Sequence, residues 1–405
     1  MERIHLFSYK NRHTKSSVQA KRRKQTMCNS DNIATFHPLE PLTKAEIGVA
    51  SKVVKNAAAQ DTKGAVGLRF EMIELKEPSK ESVRTFEPGA AVDRAAHCSV
   101  YRMGSIGVWT YVVSITTEKV LSVEHAPQAR PMIQLEEFEE VEAAVKNDPG
   151  FIAACKRRGI EDMDMVCVDP WSAGSFDVPG EEGKHLCHGF CWLKTSMNDN
   201  LYAHPIEGLH PVVDIKNKTV IRTDDKGDIP IPMVNINYDS EFQTEIRKDL
   251  KPIDIVQPEG VSFSMEGRTL KWHDWSILVG FNAREGLTLH NISYAGRPVL
   301  YRASLAEMVV PYGSPNGSHY RKNVFDIGEY GIGKLANSLQ LGCDCLGSIQ
   351  YLDSWISDFE GEPQLIKNAI CIHEEDYGKI FKLCNTQVLG IKSISSHLTF
   401  LQSFS

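Results

Sequence analysis

Apolar and polar positions change their rhythm several times along the chain, and each change marks an element. HPLEPLT (37–43) is a turn ending in a helix cap, with Thr43 three residues ahead of Glu46, the spacing of a capping box. The helix it opens is predicted to run to about residue 59. VGLRFEMIELKEP (66–78) alternates as a strand does and stops at Pro78. VDRAAHCSVYRM and GVWTYVVSITTEKVLSVEHA follow as further strands, giving a small α+β unit over 35–128. The order then repeats. LEEFEEVEAAVKN (135–147) is an acidic amphipathic helix, DPGFIAACKRRGI continues helical, and VCVDPW, HLCHGFCWLK and the stretch from Leu201 to Asp225 read as strands. This second α+β unit covers 132–240, and the repeated order suggests an old duplication without a shared motif to prove it.

EIRKDLKPIDIVQPEG (245–260) is a linker by its proline, glycine and charge content. Beyond it, strand follows strand with turns about ten residues apart, the texture of an antiparallel sandwich or barrel over 255–384. Residues 1–34 differ from the rest. They hold eight Lys or Arg, including KRRK at 21–24, against Glu2 and Asp31. With no apolar core to this stretch it is not a secretory signal; it reads as a basic disordered tail, with a transit peptide or a start at Met27 as alternatives.

Composition narrows the picture modestly. In 405 residues, 42% are hydrophobic and 24% charged, enough for two to four domains, and a net charge of −7 gives no electrostatic reason to expect nucleic acid or a membrane surface. No apolar run approaches a bilayer span. Ten cysteines in so long a chain do not make a disulfide scaffold, which suggests a reducing compartment.

Four stretches offer chemistry. GEYGIGK (328–334) suggests a phosphate loop, but its glycine spacing and the absence of Ser or Thr after the lysine argue against a nucleotide site. HLCHGFC (185–191) groups His185, Cys187, His188 and Cys191 like half a metal site, yet on a strand these side chains split between two faces. CIHEED (371–376) sets His373, Glu374, Glu375 and Asp376 in a row, which a solvated loop explains without function. Asp326 lies in an apolar stretch, and Asp is depleted in strands; a carboxylate in a dry pocket has its pKa raised and can act as a base near neutral pH, whereas a turn aspartate would only satisfy backbone amides. A bridge between Cys345 and Cys371 would close a modest loop, with Cys343 a competitor.

Five stretches taken together resemble the copper-containing primary amine oxidases in order and spacing: HPLEPLT, VPYGSP (310–315), FDIGEYGIG (325–333), GCDCLG (342–347) and CIHEEDYG (371–378). The resemblance runs from about 35 to about 380, and fungal peroxisomal-type members are the nearest. It implies two small α+β (cystatin-like) domains followed by the N-terminal part of a large antiparallel β-sandwich catalytic domain, in a homodimer. It implies copper and topaquinone as cofactors, a primary amine and dioxygen as substrates, and aldehyde, ammonia and hydrogen peroxide as products. It places the proton-accepting base at Asp326, a ring-holding tyrosine at Tyr312, the substrate-channel gate at Val324 and a disulfide at Cys345–Cys371. The compartment it implies is cytoplasmic or peroxisomal, although QSFS is no peroxisomal address.

The departure from the family lies at the C-terminal end. The quinone-forming tyrosine sits in an Asn-Tyr-Asp/Glu motif expected just past residue 405, and the copper-binding histidines, His-x-His plus a distant third, come later still. Near the end no such tyrosine motif occurs, and no His-x-His follows residue 200. After FKLC (381–384) the text becomes NTQVLGIKSISSHLTFLQSFS, Ser-rich and unlike the family, as an altered splice, a frameshift or a read-through intron would give. The expectations are therefore an aberrant tail over 385–405, no metal ligands and neither cofactor assembled from this chain, no amine oxidation by the chain as given, and an incomplete sandwich with exposed edges, while each small domain could fold alone. The alternative is a non-catalytic truncated product that acts only in dimerisation or interaction.

Overall fold

The computed structural model describes residues 37–60, 67–174, 178–196, 199–305, 308–312, 323–342, 344–380, 384–393 and 396–404, less positions 235, 238–241, 244, 246, 252 and 325. At 323–327, 377–380, 384–389 and 396–404 only the backbone path is described.

The first unit opens with α1 (Lys44–Ala59), capped as the sequence predicts. Thr43 Oγ accepts from Glu46 N, and the Glu46 carboxylate accepts from Thr43 N at 2.8 Å. Ile47, Ala50, Val54 and Ala58, three and four apart, form its buried stripe. They pack on the first sheet, β1 (Leu68–Leu75), β2 (Ala95–Arg102), β3 (Val108–Ser114) and β4 (Lys119–Ala126), an antiparallel meander in chain order. A short α2 (Lys80–Arg84), capped by Ser79, joins β1 to β2; the sequence reading missed it because one turn is too short to show a period.

In the second unit α3 (Leu135–Lys146) and α4 (Pro149–Arg157) are separate helices. Asp148 caps α4 and Pro149 begins it, so the stretch read as a continuation restarts on its own N-cap. Both cover β5 (Val166–Ser172), β6 (Leu186–Leu193), β7 (Leu209–Asp214) and β8 (Thr219–Asp225), again a meander in order.

The two meanders share more than order. Val112-Val113-Ser114-Ile115 ends β3, and Val212-Val213-Asp214-Ile215 spans the same place at β7. Each pair carries a register shift between its two valines, and each following turn holds a left-handed residue, Glu118 (φ 53) and Lys218 (φ 54). The repeated element order is thus accompanied by a shared backbone feature.

The third unit has the predicted sandwich texture. One sheet holds β9 (Phe263–Glu266), β10 (Thr269–Trp272), β11 (Trp275–Asn282), β12 (Gly286–Tyr294) and β13 (Arg297–Ser304). A two-stranded ribbon, β14 (Val310–Pro311) and β15 (Asn323–Val324), comes next, then a single helical turn, α5 (Asp326–Glu329). The last sheet is β16 (Gln350–Ser357), β17 (Pro363–Ile380), β18 (Cys384–Ser393) and β19 (Ser396–Phe404). Leu270, Trp272, Ile277 and Val279 of the first sheet share one core with Leu352, Ile370, Ile372 and Ile391 of the other. Met72 of the first unit and Met132 of the connection between the small units are buried in that same core.

Asp326 begins α5, a single helical turn, where the glycines that follow favour a turn over a ladder. Two expectations are corrected. CIHEED is not a solvated loop; it lies within β17, with His373 and Glu374 buried. The segment set apart as 385–405 contributes β18 and β19 to the last sheet, and Ile391 sits in the main core because its strand pairs along β17.

Candidate functional site

The three residues singled out for amine chemistry lie on or beside the ribbon and the helical turn. Val310 pairs with Val324 and Pro311 with Asn323 in antiparallel register, so Tyr312, next after β14, and Asp326, two residues after Val324, leave the ribbon at opposite ends. Tyr312 is nearly half exposed. The side chains of Val324 and Asp326 lie outside the described residues.

The contacts made by the chain just beyond Asp326 account for the glycines. Glu329 O accepts from Ile133 N at 2.7 Å. Tyr330 is buried among Phe138 and Trp171 and donates its hydroxyl to Pro170 O at 2.7 Å. Ile332 N donates to Arg284 O at 2.8 Å and Lys334 N to Ala283 O at 3.1 Å. This approach to the β11–β12 turn leaves no room for side chains. A Cβ on Gly333 would collide with Asn282 O, and one on Gly331 (φ +79) would stand 2.7 Å from Ala283 O. GEYGIGK is therefore a clamp joining the second unit to the sandwich, with Asp326 at its head.

Charge reinforces the clamp. Lys334 is buried and donates its ammonium to Gln134 Oε1 at the start of α3; burial pushes its pKa down to about 8. In the receiving turn, burial would raise the Glu285 carboxyl, but hydrogen bonds from Arg302, Asn282 and Ser304 outweigh it and hold the pKa at about 2.

The metal-like stretches resolve differently. In β6, Cys187 and Cys191 face the core under α3 and α4, while Phe190, on the other side, packs on Trp171 and His210. Among the described residues, the one group of three metal-ligating side chains with atoms within 4.8 Å is Cys345, Cys371 and His373. Cys345 and Cys371 are joined by a disulfide, so neither offers a thiolate to an ion in this state. No group of three imidazoles occurs among the described residues, so what is described does not fit a copper centre. An Asn-Tyr-Asp triplet does stand at 237–239, at the end of the second unit and before Asp326 rather than after it; Tyr238 and Asp239 lie outside the described residues.

Sequence reasoning missed two features of this region. Cys371, His373 and Glu375 lie two apart on β17 and so share a face; the alternation was legible once the stretch is taken as a strand. Glu374, on the opposite face, accepts from Trp272 Nε1, Ser262 N and Gln257 Nε2 at 2.7–2.9 Å, tying the connector to the sandwich.

Comparison with known proteins covers nearly the whole described chain. Three family models match in succession: the AGAO-like N2 domain at residues 43–123, the copper amine oxidase N3 domain at 136–243, and the copper amine oxidase enzyme domain at 264–399. A primary amine oxidase of Arthrobacter sp. (strain P1) is 42% identical over 355 residues, covering 86% of this chain and 54% of that protein. A peroxisomal primary amine oxidase of Pichia angusta is 36% identical over 356 residues, covering 84% of this chain and 50% of that protein. The crystal structure of a copper-containing benzylamine oxidase from Hansenula polymorpha superposes with a TM-score of 0.78 at 27% identity, over 91% of this chain and 62% of that one. The chain thus spans about half the length of these curated relatives.

Proposed function

This chain belongs to the copper amine oxidase family, and from that premise we propose that it carries the substrate-side portion of a primary amine oxidase. The family's reaction converts a primary amine, dioxygen and water to aldehyde, ammonia and hydrogen peroxide. In it, Asp326 is the base that takes the proton from the carbon bearing the amine, Tyr312 holds the quinone ring, and Val324 borders the amine's entry. The observation that carries this reading is the clamp: backbone bonds to Ile133, Ala283 and Arg284 and the Tyr330 hydroxyl bond fix the turn that begins at Asp326, which is what a base needs to meet its proton in a set geometry.

The described residues do not fit copper, and no topaquinone tyrosine motif occurs beyond Asp326. The 405-residue chain by itself is therefore proposed to be catalytically silent. The peroxisomal relative supports a peroxisomal or cytoplasmic setting, and the family supports a homodimer. A second reading, a non-catalytic interaction module, draws support from Val299 and Leu300, which stay about half exposed on the edge strand β13.

The test is amine-dependent peroxide release, measured on the 405-residue chain and on the product of the complete transcript. Release by the latter that falls about 10²–10⁴-fold in Asp326→Asn supports the base. Unchanged release in that variant overturns it. Release by the 405-residue chain overturns its silence, and a transcript encoding no longer product leaves the interaction module.

A further inference from the structure

We propose that Cys345, Cys371 and His373 form a redox-gated site for a soft metal ion such as zinc, closed while the disulfide stands and opened when a dithiol reduces it. The two sulfurs and one imidazole nitrogen lie within 4.8 Å of one another, and all three residues are buried. His373 Nδ1 stands 3.9 Å from Cys371 Sγ. Across a tetrahedral zinc, bond lengths of about 2.3 Å to sulfur and 2.0–2.1 Å to nitrogen set ligand atoms roughly 3.6 Å apart. The imidazole is therefore already near a ligand's distance from the sulfur.

The second observation concerns orientation. His373 Nε2 is 2.7 Å from Glu375 Oε1 and donates its proton to that carboxylate. The pairing leaves the Nδ1 lone pair aimed at the sulfurs. A carboxylate behind a ligating histidine is the usual support of a zinc site, fixing tautomer and ring together. Strand geometry supplies this arrangement: Cys371, His373 and Glu375 alternate on one face of β17, and Cys345 is brought in by its bridge with Leu341. Leu339, Ile349 and Tyr351 make the surroundings apolar, which strengthens thiolate–metal attraction.

The chemistry balances. A dithiol passes two electrons and two protons to the disulfide, giving two thiols and its own cyclic disulfide. Zinc then displaces two protons as it binds both sulfurs as thiolates. Hydrogen peroxide reverses the change: with two protons it takes two electrons from the thiolates, re-forms the disulfide, yields two waters and frees the ion.

The probe is zinc alone, titrated in competition with a chromophoric chelator into the 405-residue chain, oxidised or reduced by a dithiol and then freed of it without air. We expect one zinc per chain to bind the reduced form at least 100-fold more tightly than the oxidised form. His373→Gln and Cys345→Ser should abolish that difference, and Glu375→Gln should weaken reduced-state binding about 10–100-fold. Equal binding by oxidised and reduced protein overturns the proposal. So does reduced-state binding indifferent to His373→Gln, which would assign the zinc to other cysteines. Because His373→Gln retains the disulfide, circular dichroism of its oxidised form checks the fold; should that variant not fold, Glu375→Gln decides, and its failure to weaken binding overturns the site.

Discussion

Gly333 shows how much a missing Cβ controls here. It lies against the Asn282 carbonyl, and its neighbours Ile332 and Lys334 donate to the same turn. Gly333→Ala should destabilise the protein by about 3 kcal/mol or more, since backbone must move to admit the methyl group. Denaturant unfolding checks it, and a loss under 1 kcal/mol would mean that the clamp is slack. The residue type was legible in the sequence as a glycine-rich run, but its partner was not. Nothing near residue 333 announces a carbonyl fifty positions earlier, which is why the run resembles a phosphate loop at first sight.

At the scale of elements, the legible features obeyed local rules. The Thr43–Glu46 box and the stripe of α1 are contained within a few residues. Asp148 as the cap of α4 is equally local, yet the helical rhythm running through it hides the restart. Position along β17 was not local in this way. CIHEED read as solvated because its charges are adjacent, whereas pairing with β16 and β18 places Glu374 inside, beside Trp272. Glu374→Ala should strand the Trp272 and Ser262 donors and cost about 2–4 kcal/mol, with faster proteolysis in the 245–260 connector. A cleavage rate equal to the parent's would show that the connector is held by something else. The roles given to Asp326, Tyr312 and Val324 came from family likeness rather than periodicity, for a single carboxylate in an apolar stretch does not distinguish a base from a turn residue.

For the molecule as a whole, the units are not independent. Met72 and Met132 lie in the sandwich core, Phe70 N donates to Phe359 O at 2.8 Å, and a Cβ on Gly361 would meet the Phe70 ring. Separate folding of the first small unit, expected from its own helix and sheet, therefore has a cost in apolar surface left in water. Glu74 sits at the same junction. Burial, then repulsion from Glu285, raises its pKa to about 7, against attraction from Arg284 and Arg302. The folded state thus holds a proton that the unfolded chain releases near pH 4.5, so stability falls as pH rises from about 4.5 to 7 and levels off above. Calorimetry should show the first unit melting together with the sandwich, at a temperature that declines across that window. Glu74→Gln should flatten the decline and gain on the order of 1–3 kcal/mol at pH 8. An early, separate transition or a pH-independent midpoint would contradict the coupling.

The paired Val-Val-x-Ile hairpins, one hundred positions apart, differ in the letters around them yet have the same kink and the same left-handed turn residue, so what they share is a shape of backbone rather than a set of side chains. The units that carry them are put to different uses: the first enters the sandwich core through Met72, and the second supplies the Pro170 carbonyl that receives Tyr330. One backbone plan thus serves as two different fittings in the same molecule.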